Sequence, residues 1–117
     1  MKILILEDNK DRTKVFRSKL IGNEVTFTET SKDCIDALSL ETFDVLMLDH
    51  DLGNEVFQTP GDNTGYGVVK WLVQNKDMCP NQILVHSLNE SAATMMVNLL
   101  DDYNIPAQHV PFLWEKL

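Results

Sequence analysis

An apolar run that stops abruptly at three ionisable residues constrains the fold of this chain more than any other feature. The segment 45–48, VLML, is followed by Asp49, His50 and Asp51. An unbroken apolar run is typical of a strand buried on both faces, and such strands occur mainly in parallel sheets. Because open α/β sheets bind ligands at the carboxyl ends of their strands, the run predicts a ligand site there. A simple aspartate turn is the alternative.

Other apolar segments repeat this order of strand, polar end and helix. Further strands are predicted at 2–6, 25–27, 83–85 and 105–110. Helices are predicted between them, capped by Asn9, Ser31 and Asn89, and Gly22 is expected to close the first helix in the left-handed conformation. Parallel neighbours need helical crossovers, so the chain is predicted to be α/β, with a doubly wound, five-stranded parallel sheet.

Length, charge and cysteine content exclude several classes of protein. A chain of 117 residues predicts a single domain over 1–117. No apolar run approaches a membrane span and the start MKILILED does not resemble a secretory signal, so a cytoplasmic location is expected. A net charge of -8 disfavours duplex nucleic acid and anionic membranes as partners. Cys34 and Cys79 lack metal-site spacing and are predicted to be buried thiols.

Polar residues follow the predicted strands at the edge where their carboxyl ends meet. They are Glu7, Asp8, Asp49, His50, Asp51, His86, Ser87 and His109. With no lysine or arginine expected among them, the carboxylates would repel each other unless they share protons or bind a divalent cation. Oxygen ligands favour Mg²⁺ or Mn²⁺, which keep positions open for phosphate oxygens. The sequence therefore predicts a divalent-metal site, and a small phosphorylated ligand that binds through the metal.

The segments ILILEDN, DVLMLDHDLG and ILVHS resemble the response-regulator receiver domain over nearly the whole chain. The resemblance implies a flavodoxin-like topology and a magnesium site at Glu7 and Asp8, with the backbone carbonyl of Asp51 as a further ligand. It also implies that Asp49 is the phospho-accepting aspartate, and we expect Asp49 to bind the metal together with Glu7 and Asp8. Ser87 matches the hydroxyl residue that senses the phosphoryl group.

Three positions depart from the receiver pattern. Val110 stands where the family has a lysine before Pro-Phe. The glycine that opens the third helix in the family follows the phospho-accepting aspartate after about eight residues, whereas the matching Gly67 lies 18 positions beyond Asp49, which indicates an insertion above the site. The family's last helix would have to fit into 111–117, so that helix is predicted to be shortened or missing. Bare apolar sheet would then be covered by a turn at 112–114 or by a second copy, and a homodimer is expected.

All three histidines fall at or near carboxyl ends of predicted strands. Imidazoles titrate near neutrality and can move protons in phosphoester chemistry, which makes His50 and His86 acid/base candidates alongside Asp49 and Ser87. Neighbours in a strand point to opposite faces, so His50 joins Asp49 only if the strand end bends. The DHDL and HS motifs resemble a divergent receiver branch proposed to process cyclic phosphates. The resemblance implies metal-dependent hydrolysis or opening of a cyclic phosphate.

Other functions fit the same residues. The main alternative is a stand-alone or degenerate receiver, phosphorylated on Asp49 and acting through a partner protein. Haloacid-dehalogenase-type phosphotransferases share the DxDx pattern but place it on the first strand of a longer fold. HD hydrolases are all-helical, and two-histidine phosphoesterases use a spaced HxS or HxT pattern, whereas His86 and Ser87 are adjacent.

Overall fold

Five parallel strands form one sheet in the order β2-β1-β3-β4-β5. The structure is a computed structural model that describes residues 1–52 and 61–112. The strands are β1 (Lys2–Leu6), β2 (Glu24–Thr28), β3 (Val45–Leu48), β4 (Gln82–Val85) and β5 (Gln108–His109). This order is that of flavodoxin-like folds and confirms the predicted doubly wound parallel sheet. β5 is shorter than the predicted 105–110, because the Ile105 N–H instead bonds to the Leu100 carbonyl and closes the preceding helix.

Four α-helices connect the strands within the described ranges. They are α1 (Lys10–Lys19), α2 (Ser31–Leu40), α3 (Gly65–Gln74) and α4 (Glu90–Asp102). Asn9 and Asn89 cap α1 and α4 as predicted. The cap of α2 is Thr30 rather than Ser31, because Ser31 is already helical and its hydroxyl donates to the Asp62 carbonyl at 2.8 Å. Gly22 has a φ of +96°, the predicted left-handed conformation.

Alternation of side chains along the strands produces one apolar core on each face of the sheet. The larger core lies against α2, α3 and α4, and we call this side the α3 face; its strand residues include Leu4, Leu6, Leu46, Leu48, Ile83 and Val85. On the opposite side, the α1 face, Ile3, Ile5 and Val45 pack against Phe16 of α1 and against Phe112. Met47 and Leu84 are only half-buried on this second face, since α1 is its only helix among the described residues.

Burial differs between the two cysteines, and the last described residue, Phe112, is buried. Phe112 is buried in the α1-face core, whereas 113–117, and with them most of the predicted last turn, lie outside the described residues. Cys34 is buried as predicted, but Cys79 is only half-buried. None of the helices in the described part of the chain combines the length and the apolar character needed to cross a membrane.

Candidate functional site

Glu7, Asp49 and His86 directly follow β1, β3 and β4 and lie together at the carboxyl edge of the sheet. All three share the strand alternation of the α1 face, and all three are buried. One potential ligand atom of each residue lies within 4.8 Å of the others. The structure thus brings together three predicted site residues from distant parts of the sequence.

Arg12 lies against both carboxylates, and the expectation that no lysine or arginine would be among them is wrong. Its Nε donates to Glu7 Oε1 at 3.0 Å, and its Nη2 donates to Glu7 Oε2 at 3.2 Å. Nη2 also lies 3.4 Å from Asp49 Oδ2. The capping residue Asn9 helps to hold this geometry, because its side chain accepts from the Arg12 N–H and its own N–H donates to Glu7.

Burial and charge give the two carboxyl groups different protonation behaviour. Burial raises the pKa of Asp49 to about 8, and the neighbouring Glu7 carboxylate adds to this increase. Burial alone would also raise the pKa of Glu7, but hydrogen bonds from His86 and the Asn9 N–H, with the charge of Arg12, lower it instead. Near neutral pH Glu7 is therefore ionised against Arg12, whereas Asp49 holds a proton.

The surroundings of His86 favour a hydrogen-bond donor over a metal ligand. Nε2 lies 3.0 Å from Glu7 Oε1, and burial lowers the pKa of the imidazole. The neutral ring facing a carboxylate carries its proton on Nε2, which leaves Nδ1 as an acceptor. A metal-bound histidine normally donates its second N–H to an acceptor, yet Nδ1 of His86 is buried with no hydrogen-bond partner among the described residues.

A second polar group lies beside the first and involves different partners. His50 Nδ1 is 2.7 Å from Asp51 Oδ1, and Asn89 Nδ2 donates to the same oxygen at 3.1 Å. Ser87 Oγ accepts from the Asn89 N–H, and His109 Nε2 lies 2.8 Å from the Ser87 carbonyl. His50 is fully buried, and its Nε2 has no partner in the described parts of the chain.

Adjacent residues at the strand ends therefore bond to different partners, as strand alternation requires. Asp49 is held with Glu7 and Arg12, whereas the ring of His50 is held by Asp51. Neither Asp8, which is half-buried, nor Asp51 belongs to the group of Glu7, Asp49 and His86, so metal binding by these two aspartates stays a prediction. The carboxylate oxygens of Glu7 and Asp49 nevertheless suit a hard divalent cation.

The start of α3 packs directly on the end of β3. The Gly65 N–H donates to the His50 carbonyl at 3.0 Å, and a Cβ on Gly65 would lie 1.9 Å from the Asp49 carbonyl oxygen. Gly65, rather than Gly67, is thus the glycine that begins the helix over the site. Val110 is 46% exposed and offers no side-chain donor at the position where receivers have lysine.

We expect Mg²⁺ to raise the melting temperature of the protein, because a cation that binds only the folded state relieves the repulsion between Glu7 and Asp49. Asp8→Asn should reduce this increase if Asp8 contributes to the site. Differential scanning fluorimetry across a magnesium titration measures the effect, with Asp101→Asn as a control on the exposed end of α4. A melting temperature that stays constant at millimolar magnesium would count against a metal site.

Solved structures similar to this one are receiver domains or signalling proteins with the same fold. The BeF3-activated DrrB receiver domain has a TM-score of 0.63 and 21% identity, covering 97% of this chain and 87% of that chain. The response regulator TrrA from Thermotoga maritima, solved with Mg²⁺-BeF, has a TM-score of 0.67 and 16% identity, covering 97% and 89%. A sensor protein from Polaromonas sp. JS666 has a TM-score of 0.70 and 16% identity, covering 97% and 86%. The fold is that of a receiver domain.

A more specific relationship comes from sequence families. The family model of the Cyclic-phosphate processing Receiver domain matches residues 2–102, and the chain belongs to this family. The match includes β1 to α4, and with them Glu7, Arg12, Asp49 and His86. A comparison with curated protein sequences finds no match.

Proposed function

We propose that this protein binds a phosphoester at the carboxyl edge of its sheet and, with a divalent cation, hydrolyses or opens a cyclic phosphate. The observation that carries the proposal is the contact of Arg12 with the buried carboxylates of Glu7 and Asp49, in which hard oxygen ligands lie beside a fork of N–H donors. Such neighbours suit a cation and a phosphoryl group bound side by side. Membership of a family named for cyclic-phosphate processing supports the same function.

The chemistry assigns separate tasks to this chain's residues. Opening a 2',3'-cyclic phosphate joins a water oxygen to phosphorus and breaks one ring P–O bond, while the water loses a proton and the departing sugar oxygen gains one. Glu7 and Asp49, with Asp8 as a further ligand, would hold a divalent cation that stabilises charge on the phosphoryl oxygens. His50 exchanges the proton, since its partner Asp51 has a side chain that is 14% exposed.

His86 has a different task in this proposal. Its partner Glu7 has a side chain with no exposed surface, so a proton has no direct route from His86 to solvent. The Nε2–H of His86 instead orients the Glu7 carboxylate, and His86 is a positioning residue. Ser87, whose hydroxyl lies beside Asn89 at the edge of the sheet, contacts the bound phosphoryl group.

Turnover of a 2',3'-cyclic nucleotide with Mg²⁺ or Mn²⁺ tests the proposal. His50→Asn keeps a donor near Nδ1 but cannot shuttle a proton, so it should lower the rate at least about 100-fold. His86→Gln keeps a donor near Nε2 and should retain activity within about tenfold, whereas His86→Ala should lose it. Asp101→Asn should match the wild type.

Two outcomes would contradict the assignment. If the wild-type protein turns over no cyclic phosphate with either metal, the proposed enzymatic function is wrong. A His50→Asn variant as active as the wild type removes His50 as the proton-exchanging group while leaving the reaction itself in place.

A phosphoacceptor acting through a partner protein is the second candidate. Asp49 Oδ1 accepts the His50 N–H at 2.8 Å, which leaves Oδ2 beside Arg12 to attack phosphorus. Acetyl phosphate would then transfer its phosphoryl group to Oδ2 and release acetate. A stable, magnesium-dependent mass increase that Asp49→Asn abolishes would favour this function over turnover.

A further inference from the structure

We infer that Arg12 is the residue that binds the phosphoryl oxygens at this site, through the N–H groups that Glu7 does not use. The inference rests on the proposed phosphoester site, but it does not depend on whether the bound ester is hydrolysed. It assigns the guanidinium two simultaneous roles, one toward Glu7 and one toward an incoming anion.

The donors of Arg12 divide into two groups. Nε and Nη2 donate to the two oxygens of Glu7 at 3.0 and 3.2 Å. The contact from Nη2 to Asp49 Oδ2 is 3.4 Å, longer than an ordinary N–H···O hydrogen bond. Nη1 donates no hydrogen bond to any residue in the ranges 1–52 and 61–112. Nη1 therefore has N–H groups available for one phosphate oxygen, and the second N–H of Nη2, held only by the long contact to Asp49, can complete a fork to another.

The guanidinium is accessible and held in place. The Arg12 side chain is 22% exposed, whereas those of Glu7 and Asp49 are 0% and 4% exposed. Its planar group lies over the ring of Phe112, with 5.8 Å from Cζ to the ring centroid. Contacts to Glu7 on one edge and Phe112 on one face fix its orientation, so binding an anion requires little further ordering.

The charges around the site also favour Arg12 as the residue that binds the phosphoryl oxygens. A phosphate at this edge meets the carboxylates of Glu7 and Asp49, and the chain as a whole is acidic. Among the described residues, Arg12 is the only lysine or arginine that pairs with either of these carboxylates. Since a divalent cation and Arg12 approach the same two carboxylates, removing the charge of Arg12 should not weaken metal binding.

The test measures phosphate and metal binding separately by isothermal titration calorimetry. Inorganic phosphate is titrated into magnesium-saturated protein, and Mg²⁺ is titrated into phosphate-free protein. Arg12→Gln should weaken phosphate binding at least about tenfold, the loss expected for one charge-assisted hydrogen bond, while magnesium affinity stays equal or rises. Arg12→Lys keeps the charge without the fork and should fall between. Arg17→Gln is the matched control. Arg17 lies on the same helix as Arg12 and also stacks on an aromatic ring, with its Cζ 4.5 Å from the ring centroid of Phe27.

The outcomes separate this inference from the proposed reaction. Equal phosphate affinity in the wild type and in folded Arg12→Gln would overturn the inference about Arg12. A parallel loss of phosphate and magnesium binding in Arg12→Gln would also overturn it. So would a wild-type protein that binds no phosphate. If Arg12→Gln does not fold, unchanged phosphate affinity in Arg12→Lys overturns it. Phosphate binding that depends on Arg12, in a protein that turns over no cyclic phosphate, would support the inference while contradicting the enzymatic function.

Discussion

In metal-free buffer at about pH 9, Asp49→Asn should be more stable than the wild type by on the order of 5 kcal/mol, since the pKa of Asp49 is raised by about four units and each unit corresponds to about 1.4 kcal/mol. Burial and the neighbouring Glu7 carboxylate raise the pKa of Asp49 to about 8, so ionising it above that pH leaves a poorly solvated charge beside another of the same sign. Asparagine has nearly the same shape and no charge. Its amide oxygen can still accept the His50 N–H that Asp49 Oδ1 accepts at 2.8 Å.

The direction of this stability change follows from the difference in the pKa of Asp49 between the folded and the unfolded protein. The folded pKa of Asp49 lies above its unfolded value, so the folded protein binds more protons between about pH 4 and pH 8. Asp49 therefore lowers the stability of the wild type progressively as the pH rises through that range, and no further above it. Asp49→Asn lacks this contribution.

Urea denaturation at several pH values measures the difference. The gap in the free energy of unfolding between Asp49→Asn and the wild type should widen from about pH 5 to pH 9. Asp101→Asn, on the exposed end of α4, should keep a constant gap. Parallel curves for the wild type and Asp49→Asn would show that Asp49 ionises normally in the folded protein. Saturating magnesium should reduce or reverse the advantage of the variant, because the ion favours the carboxylate.

Gly65→Ala should destabilise the protein by about 3 kcal/mol or more, the upper range for overpacking. The new Cβ would lie 1.9 Å from the Asp49 carbonyl oxygen and 3.0 Å from the His50 Cα. These are backbone atoms at the end of a buried strand, so relief requires α3 or β3 to move. Either movement strains the 3.0 Å hydrogen bond from the Gly65 N–H to the His50 carbonyl. Asp49 would be displaced with the backbone.

Gly22→Ala is the matched control for this prediction. Gly22 has a φ of +96°, and a Cβ at this position would meet no atom within 4 Å, so alanine there introduces only backbone strain, of about 1 kcal/mol. Urea denaturation compares the two variants, and the magnesium-dependent increase in melting temperature should be lost only in Gly65→Ala. Equal stability of the two would contradict the close approach of α3 to β3.

Local patterns are sufficient to predict most of the fold, because buried parallel strands are recognisable as apolar runs and Asn9 and Asn89 are capping residues. The predicted β5 is too long because an edge strand with two paired residues leaves little local signal. Thr30 and Ser31 both favour a cap, and only the burial of Ser31 against Asp62 decides between them.

The contacts within the site are less predictable than the fold, because they join residues that are distant in the sequence. Strand ends predict which residues reach the edge of the sheet, and alternation predicts that Asp49 and His50 separate. The pairing of His86 with Glu7 joins residues 79 positions apart and has no local signal. Arg12 lies in a charged helix turn that resembles any solvated surface. The only sequence signal that could assign Arg12 to the site is its position, three residues after the cap of a helix that follows an acidic strand end.

Assembly of the acidic group from distant segments affects the kinetics of folding. His86 and Glu7 are 79 positions apart, and Arg12 and Asp49 are 37 apart, so these contacts form only after β1, β3 and β4 have paired. Contacts of such large sequence separation are entropically expensive to form early. Interactions that are absent from the folding transition state alter the rate of unfolding rather than that of folding. A cation bound between Glu7 and Asp49 would therefore lengthen the lifetime of the folded protein without hastening its formation.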